Sequence, residues 1–254
     1  MSEIGPADPR DEPNVDDFVD VSLDADEWAA ILQDHKDYEA RKAREAEAEL
    51  SLSEFSVTWD TITPDDVDEF RRALHDAKNE PDMQKFLASR PHLLVQPLGG
   101  GHGRWVIAEK KFGDQFRSDY MIAENSSQGF EWLAVELEGP QQVMFNKDGH
   151  PNKSLVHAIQ QINDWRGFIE SNLQYVRNPR HENGLGLVDV HPTVRGLVII
   201  GRRHETPAST NAARRRLATM NNIDIHSWDW LVERAQMRSD ELEGRRRRRA
   251  EESD

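Results

Sequence analysis

The 254-residue chain contains no cysteine, which excludes disulfides, cysteine nucleophiles and thiolate-bound metals. It has no long apolar run either: the longest, Leu197 to Ile200, falls far short of the roughly 20 residues that span a bilayer. The opening "MSEIGPADPRDEP" lacks the basic start and apolar segment of a secretory signal, so the expected location is the cytoplasm, with no membrane partner. Ten histidines are present, but none stands in an H-E-x-x-H or paired ligand spacing, which argues against a zinc site. "GGGHG" at residues 99–103 lacks the lysine of a phosphate-binding loop and reads as a hinge or hairpin lead-in. Hydrophobic residues make up 37%, low for a chain packed throughout, so part of it is expected to be unfolded.

What is abundant is charge, and it is unevenly placed. Residues 1–60 hold 18 acidic and 5 basic side chains, net −13, whereas residues 61–254 hold 29 and 27, net −2. The acidity therefore belongs to an N-terminal arm, and the rest of the chain is not barred from a nucleic-acid partner. Residues 1 to about 22 are acidic and proline-rich and are read as disordered. Residues 24–50 are rich in helix formers, with Asp24 or Asp26 as cap and a short apolar face of Trp28, Ile31 and Leu32, suited to an exposed or partner-docking helix. The main domain is expected over residues 61–237, and residues 238–254, ending "GRRRRRAEESD", as a charged disordered tail whose arginines could touch phosphates.

Within the domain, "TPDDVDEFRRALHDA" carries a helix capped by Thr63 with Pro64 in the first turn, and "EPDMQKFLASRPHLL" a second that Pro91 ends. Three strand-like segments follow at about 104–111, 116–123 and 131–138, with connectors short enough for an antiparallel meander. A long helix over about 154–171 presents Leu155, Ile159, Ile162, Trp165 and Ile169 as its buried stripe. A buried strand at 195–201, a helix at 208–220, the short segment "NIDIHSW" and a last helix at 228–237 complete an α/β sheet of mixed strand directions.

The segment "FEWLAVELEGP", residues 130–140, ends in Glu136 and Glu138, two apart and so on one face of a strand. A hairpin would bring Asp119 of the preceding strand beside them. Clustered carboxylates raise one another's pKa unless a cation or proton intervenes, and hard divalent ions take such oxygen donors. That is the donor chemistry of metal-assisted phosphodiester hydrolysis. An E-x-E on a strand is by itself most often a solvated face. Here the acids fall at consecutive strand ends, next to a strand-breaking Gly-Pro and before a helix containing Gln161 and Trp165.

The order "SDYMIA", "WLAVELEGP", "HAIQQINDW" resembles the Asp, Glu-x-Lys and Gln-x-x-x-Tyr series of PD-(D/E)XK nucleases. More narrowly, with "VIIGR" and "RRRLATMNNIDIHSWDWLVERA" following, residues 78–236 resemble the C-terminal nuclease domain of Shedu antiphage-defence proteins. The resemblance implies a restriction-endonuclease-like mixed β-sheet flanked by helices, a metal-dependent DNA endonuclease using Mg²⁺ or Mn²⁺, double-stranded DNA as substrate, and a homo-oligomer. It implies Asp119 and Glu136 as metal ligands, helped by the Leu137 carbonyl, with Gln161 reaching in from the helix, Trp165 as the usual aromatic and Glu80 as a further acid. Glu138 departs from the pattern, standing where the family has lysine. It could ligate a metal or act as general base, a cation such as Lys153 or Lys110 could substitute, or the domain could be an inactive module that binds nucleic acid or a protein. Lys153, Arg214 and Arg215 are candidate phosphate contacts, and His157, one turn before Gln161, could face the site.

Overall fold

The computed structural model describes residues 24–99, 102–112 and 116–252. The stretch read as disordered at the N-terminus, and part of the glycine-rich connector, lie outside them. The chain divides into a short unit ending at Ala43 and a large compact unit from Arg44 onward. Helix α1, Ala25–Ser51, begins at Asp24, whose Oδ1 accepts from the Glu27 amide at 2.9 Å. Trp28, Ile31, Leu32 and Tyr38 are exposed along it, as the short apolar face of the sequence suggested.

The large unit starts earlier than the boundary expected at residue 61. Ala48 and Leu52 are buried in its core, and the Val57 amide donates to the Arg104 carbonyl at 2.8 Å. The end of the acidic arm is thus part of the domain, because its few apolar residues sit at helical spacing over the sheet. Helix α2, Pro64–Asp76, carries the capping box of Thr63 and Asp66 and buries Val67, Phe70 and Leu74. Helix α3, Glu80–Ala88, is capped by Asn79.

The strands are β1 (Gly103–Ala108), β2 (Lys111–Phe112), β3 (Phe116–Arg117), β4 (Tyr120–Ser126) and β5 (Gly129–Leu137). They are followed by α4 (Lys153–Ser171), α5 (Leu173–Arg177), β6 (Arg195–Ile199), α6 (Asn211–Asn221), β7 (Ile223–His226) and α7 (Trp228–Glu251). Five strands form one sheet in the order β1-β4-β5-β6-β7, with β2 and β3 pairing as a separate ribbon. The meander β1-β4-β5 is antiparallel as expected, and β6 and β7 add parallel to β5, so the directions are mixed. Central β5 is buried on both faces, which is why it reads as an apolar run. Its alternation sends Trp132 and Ala134 into one core with α4, and Leu133, Val135 and Leu137 into another with α2, α3 and α7. Helix α4 lies close on β6 at Gly196, where a Cβ would come within 2.6 Å of Ile223 and 2.9 Å of Ile162.

Helix α7 corrects the expectation of a helix ending at 237 and a disordered tail. It runs unbroken to Glu251, because Ser239 and Leu242 continue its buried side. The charge block is itself helix-compatible: Arg238 and Arg245 pair with Glu241, and Arg247 with Glu243, at i,i+3 and i,i+4 spacing. No described helix is long and apolar enough to cross a membrane.

Candidate active site

The end of β5 sets the geometry. Alternation directs Glu136, like Ala134, to the α4 side, and the strand then stops because the Gly139 carbonyl turns back to accept from the Gln142 amide at 3.0 Å. Asp119 stands one residue beyond the last β4–β5 pair, Tyr120–Val135, so it faces Glu136 across the sheet. Its Oδ2 accepts from the Leu137 amide at 2.8 Å. Its Oδ1 accepts from Gln84 Nε2 at 3.0 Å, and the same amide donates to Glu80 Oε1 at 2.9 Å. From the other side, Asn152 caps α4 and places Lys153 and Ser154 at the mouth, one to two turns ahead of His157 and Gln161.

These groups line one open cleft of about 640 Å³, in which Glu80, Asp119, Glu136 and Glu138 share space with Lys153 and Gln161. His157, Ser154, Arg117 and Glu109 complete its wall. The structure thus brings together the candidate acids, the helix glutamine, His157 and one of the two candidate cations. Lys110 is elsewhere: its Nζ donates to the Leu185 carbonyl at 2.6 Å. Arg214 lines a different cleft, with Arg203, Asn211 and Trp230 among its neighbours, and neither it nor Arg215 borders the acids. Trp165 is fully buried and stacks on Phe112 at 6.2 Å, so it packs the core and does not border the cleft.

Burial and mutual repulsion govern the carboxyls. Burial, then Asp119, Glu138 and Glu80, push Glu136 up to about 10 against a hydrogen bond from Gln161. Burial pushes Glu138 up to about 7, opposed by a hydrogen bond with Ser154. Glu80 rises to about 7 through burial and the charges of Asp119 and Glu138, with His157 acting against them. Asp119 is raised by burial, with the Leu137 amide and Gln84 opposing. Each shift has the sign that a nearby cation would reverse.

Glu136 Oε2 supplies an independent observation: it is buried and has no hydrogen-bond partner. A buried carboxyl oxygen left without a hydrogen-bond partner, beside the oxygens of Asp119, Glu138 and Glu80, fits a hard divalent ion that would displace its proton. Among the described residues no three His, Cys, Asp or Glu side chains are arranged to hold a metal ion by themselves. Asp119 and Glu136 would therefore need backbone carbonyl and water oxygens to complete a shell. Gln84 and Ser154 were not picked out from the sequence. The only available signal for Gln84 was its i,i+4 spacing from Glu80, which puts both on one helix face.

An acid-rich cleft at the end of the central strand of a mixed α/β sheet defines a nuclease-like domain in its architecture. The chain belongs to the Shedu family: the family model described as "Shedu protein SduA, C-terminal" matches residues 77–232, which include every carboxyl of the cleft and Gln161. The chain is also similar to a solved structure titled as restriction endonuclease FokI bound to DNA, with a TM-score of 0.38 and 15% identity. That match covers 68% of this chain and 28% of FokI, so the chain spans less than a third of that protein. No curated protein matches.

Proposed function

We propose that this chain is a metal-dependent DNA endonuclease of a Shedu-type antiphage system, hydrolysing phosphodiester bonds of duplex DNA at the Asp119–Glu136 cleft. The observation that carries the reading is the convergence of Glu80, Asp119, Glu136 and Glu138 on one cleft with an unpartnered, buried Glu136 oxygen. Asp119 and Glu136, with the Leu137 carbonyl, would hold Mg²⁺ or Mn²⁺, which when bound lowers the pKa of water and offsets charge on the phosphate. Gln84 fixes Asp119, and Gln161 fixes Glu136.

Glu138 takes the place of the family's lysine and puts a carboxyl, able to accept a proton, in the cleft beside Asp119 and Glu136. It accepts the proton of the attacking water as the new P–O bond forms and the ester P–O bond breaks, and the leaving oxygen takes a proton from solvent water. Lys153, at the mouth of the same cleft, supplies the positive charge that a glutamate cannot. The exchange of lysine for Glu138 also supports a second reading, in which the domain binds DNA or a protein without cutting.

Nicking of supercoiled plasmid in Mg²⁺ or Mn²⁺, absent in EDTA, tests the proposal. Asp119→Ala and Glu136→Ala should each reduce the rate by about 100-fold or more. Cleavage persisting in both variants would refute the site, and DNA binding with no turnover in any divalent metal would favour the second reading.

A further inference from the structure

A different part of the molecule carries an unassigned positive site. Along α7, Trp230, Arg234, Arg238, Glu241, Arg245 and Arg248 recur at spacings of four or three, so they form one row on the helix. Four arginines on this row face a single glutamate, and Glu241 is already shared between Arg238 at 2.7 Å and Arg245 at 2.5 Å. Among the described residues, Arg234 and Arg248 have no acidic partner.

Beside the row lies a cavity of about 420 Å³ lined by Trp59, Gln96, Arg104, Arg234, Arg238 and Glu241. Trp59 has the Arg104 guanidinium 5.0 Å from its ring centroid and that of Arg238 4.1 Å from it. Arg104 is only 1% exposed, with Glu124 at 3.1 Å and the carbonyls of Gly99 and Gly103 accepting from it. Its charge is therefore fixed in the cavity wall, and the nearby Arg238 charge opposes it. Two guanidiniums gathered on one indole, next to Arg234, which lies 5.8 Å from the Trp230 ring centroid and has no carboxylate partner among the described residues, leave an excess of positive potential. That potential suits an anion with more than one charge.

The row extends about 21 Å from Arg234 to Arg248 at 1.5 Å per residue, the length of about six base-pair steps along a duplex axis. We propose that this row and the Trp59 cavity form a second nucleic-acid contact, which takes consecutive backbone phosphates at a surface separate from the acid cleft. The ligand chemistry is the phosphate diester. The linear spacing favours a polynucleotide over a mononucleotide, which could meet only the cavity. The arginines of the row lie beyond residues 77–232, the stretch matched by the family. The inference rests on the reading of the chain as a DNA-acting protein.

Anisotropy of a labelled duplex of about 30 base pairs with the full chain in EDTA, over a range of salt, tests it. Neutralising one phosphate contact lowers the slope of log K against log salt by about 0.9, so Arg234→Gln with Arg248→Gln should lower it by about 1.8. Affinity at low salt should fall about tenfold or more. Glutamine preserves the helix, and an unchanged melting curve separates lost binding from lost fold. AMP and ATP should displace the duplex no better than equal ionic strength does.

An unchanged slope and affinity would overturn the proposal, as would displacement by micromolar mononucleotide. A rise in DNA affinity would also overturn it, by showing that an acidic segment of the chain itself occupies the row. A wild-type chain that nicks plasmid while the double variant binds as tightly defeats only this inference. A wild-type chain that neither binds nor nicks defeats the nuclease reading as well.

Discussion

Replacing Glu136 by glutamine should stabilise the fold, and the size of the gain should depend on pH in a defined way. Glu136 is 4% exposed, and its carboxyl is shifted from 4.5 in the unfolded reference to about 10 in the folded chain. Between those values the folded form holds a proton that the unfolded form has released. Folding stability is therefore fully present below the unfolded pKa and is lost as pH rises, at about 1.4 kcal/mol per pH unit. By pH 7 the loss is about 3 kcal/mol, a figure set by the unfolded reference and the assay pH as long as the folded pKa stays above 7.

Glutamine keeps the shape and does not ionise, and its new amide protons have Asp119 as a neighbouring acceptor. Allowing about 1 kcal/mol for imperfect satisfaction of that amide, the net gain at pH 7 is about 2 kcal/mol. That corresponds to a rise in Tm of roughly 4–8 °C for a chain of this size. Urea and thermal unfolding in EDTA between pH 4.5 and 8 measure it. The difference between variant and wild type should be smallest at the acid end and widen with pH. Millimolar Mn²⁺ should stabilise the wild type and not the variant. A glutamine variant no more stable than wild type at pH 8, or a difference that does not vary with pH, would refute the assignment of a buried, charge-frustrated carboxyl.

Two further outcomes separate the remaining assignments. Lys153→Ala should slow plasmid nicking by about 10- to 100-fold, whereas Lys110→Ala, whose ammonium is bonded to the Leu185 carbonyl, should leave the nicking rate per folded molecule within about twofold of wild type. Leu52→Ala should cost about 3 kcal/mol in urea unfolding because Leu52 is fully buried, while a chain lacking residues 1–43 should unfold with the stability of the whole.

Much of the architecture was legible because it is local. Thr63 and Pro64 mark a helix start, and the apolar content of residues 131–138 marks β5 as a strand. The period of two along a strand placed Glu136 and Glu138 together before any contact was known. The missed features are tertiary. Gln84 looks like any polar residue on an amphipathic helix until α3 is set against Asp119. The cleft takes Lys153 and not Lys110 because the cap at Asn152 fixes where α4 starts, a consequence of loop closure. The length of α7 was hidden by composition: a run of arginines reads as solvated tail, although Ser239 and Leu242 keep the helix in contact with the core.

The two ends of α7 meet different parts of the molecule. At its first residue the Trp228 indole donates to the Glu138 carbonyl at 2.8 Å, so the helix is bolted to the backbone of the cleft. Its arginine row then begins about 9 Å along the axis and ends about 30 Å along it, at 1.5 Å per residue. An unbroken helix fixed in this way is a ruler. A nucleic acid gripped at the row would meet the carboxyls at a set number of nucleotides from the grip, and inserting one residue into α7 would both lengthen that interval and turn the row by about 100°.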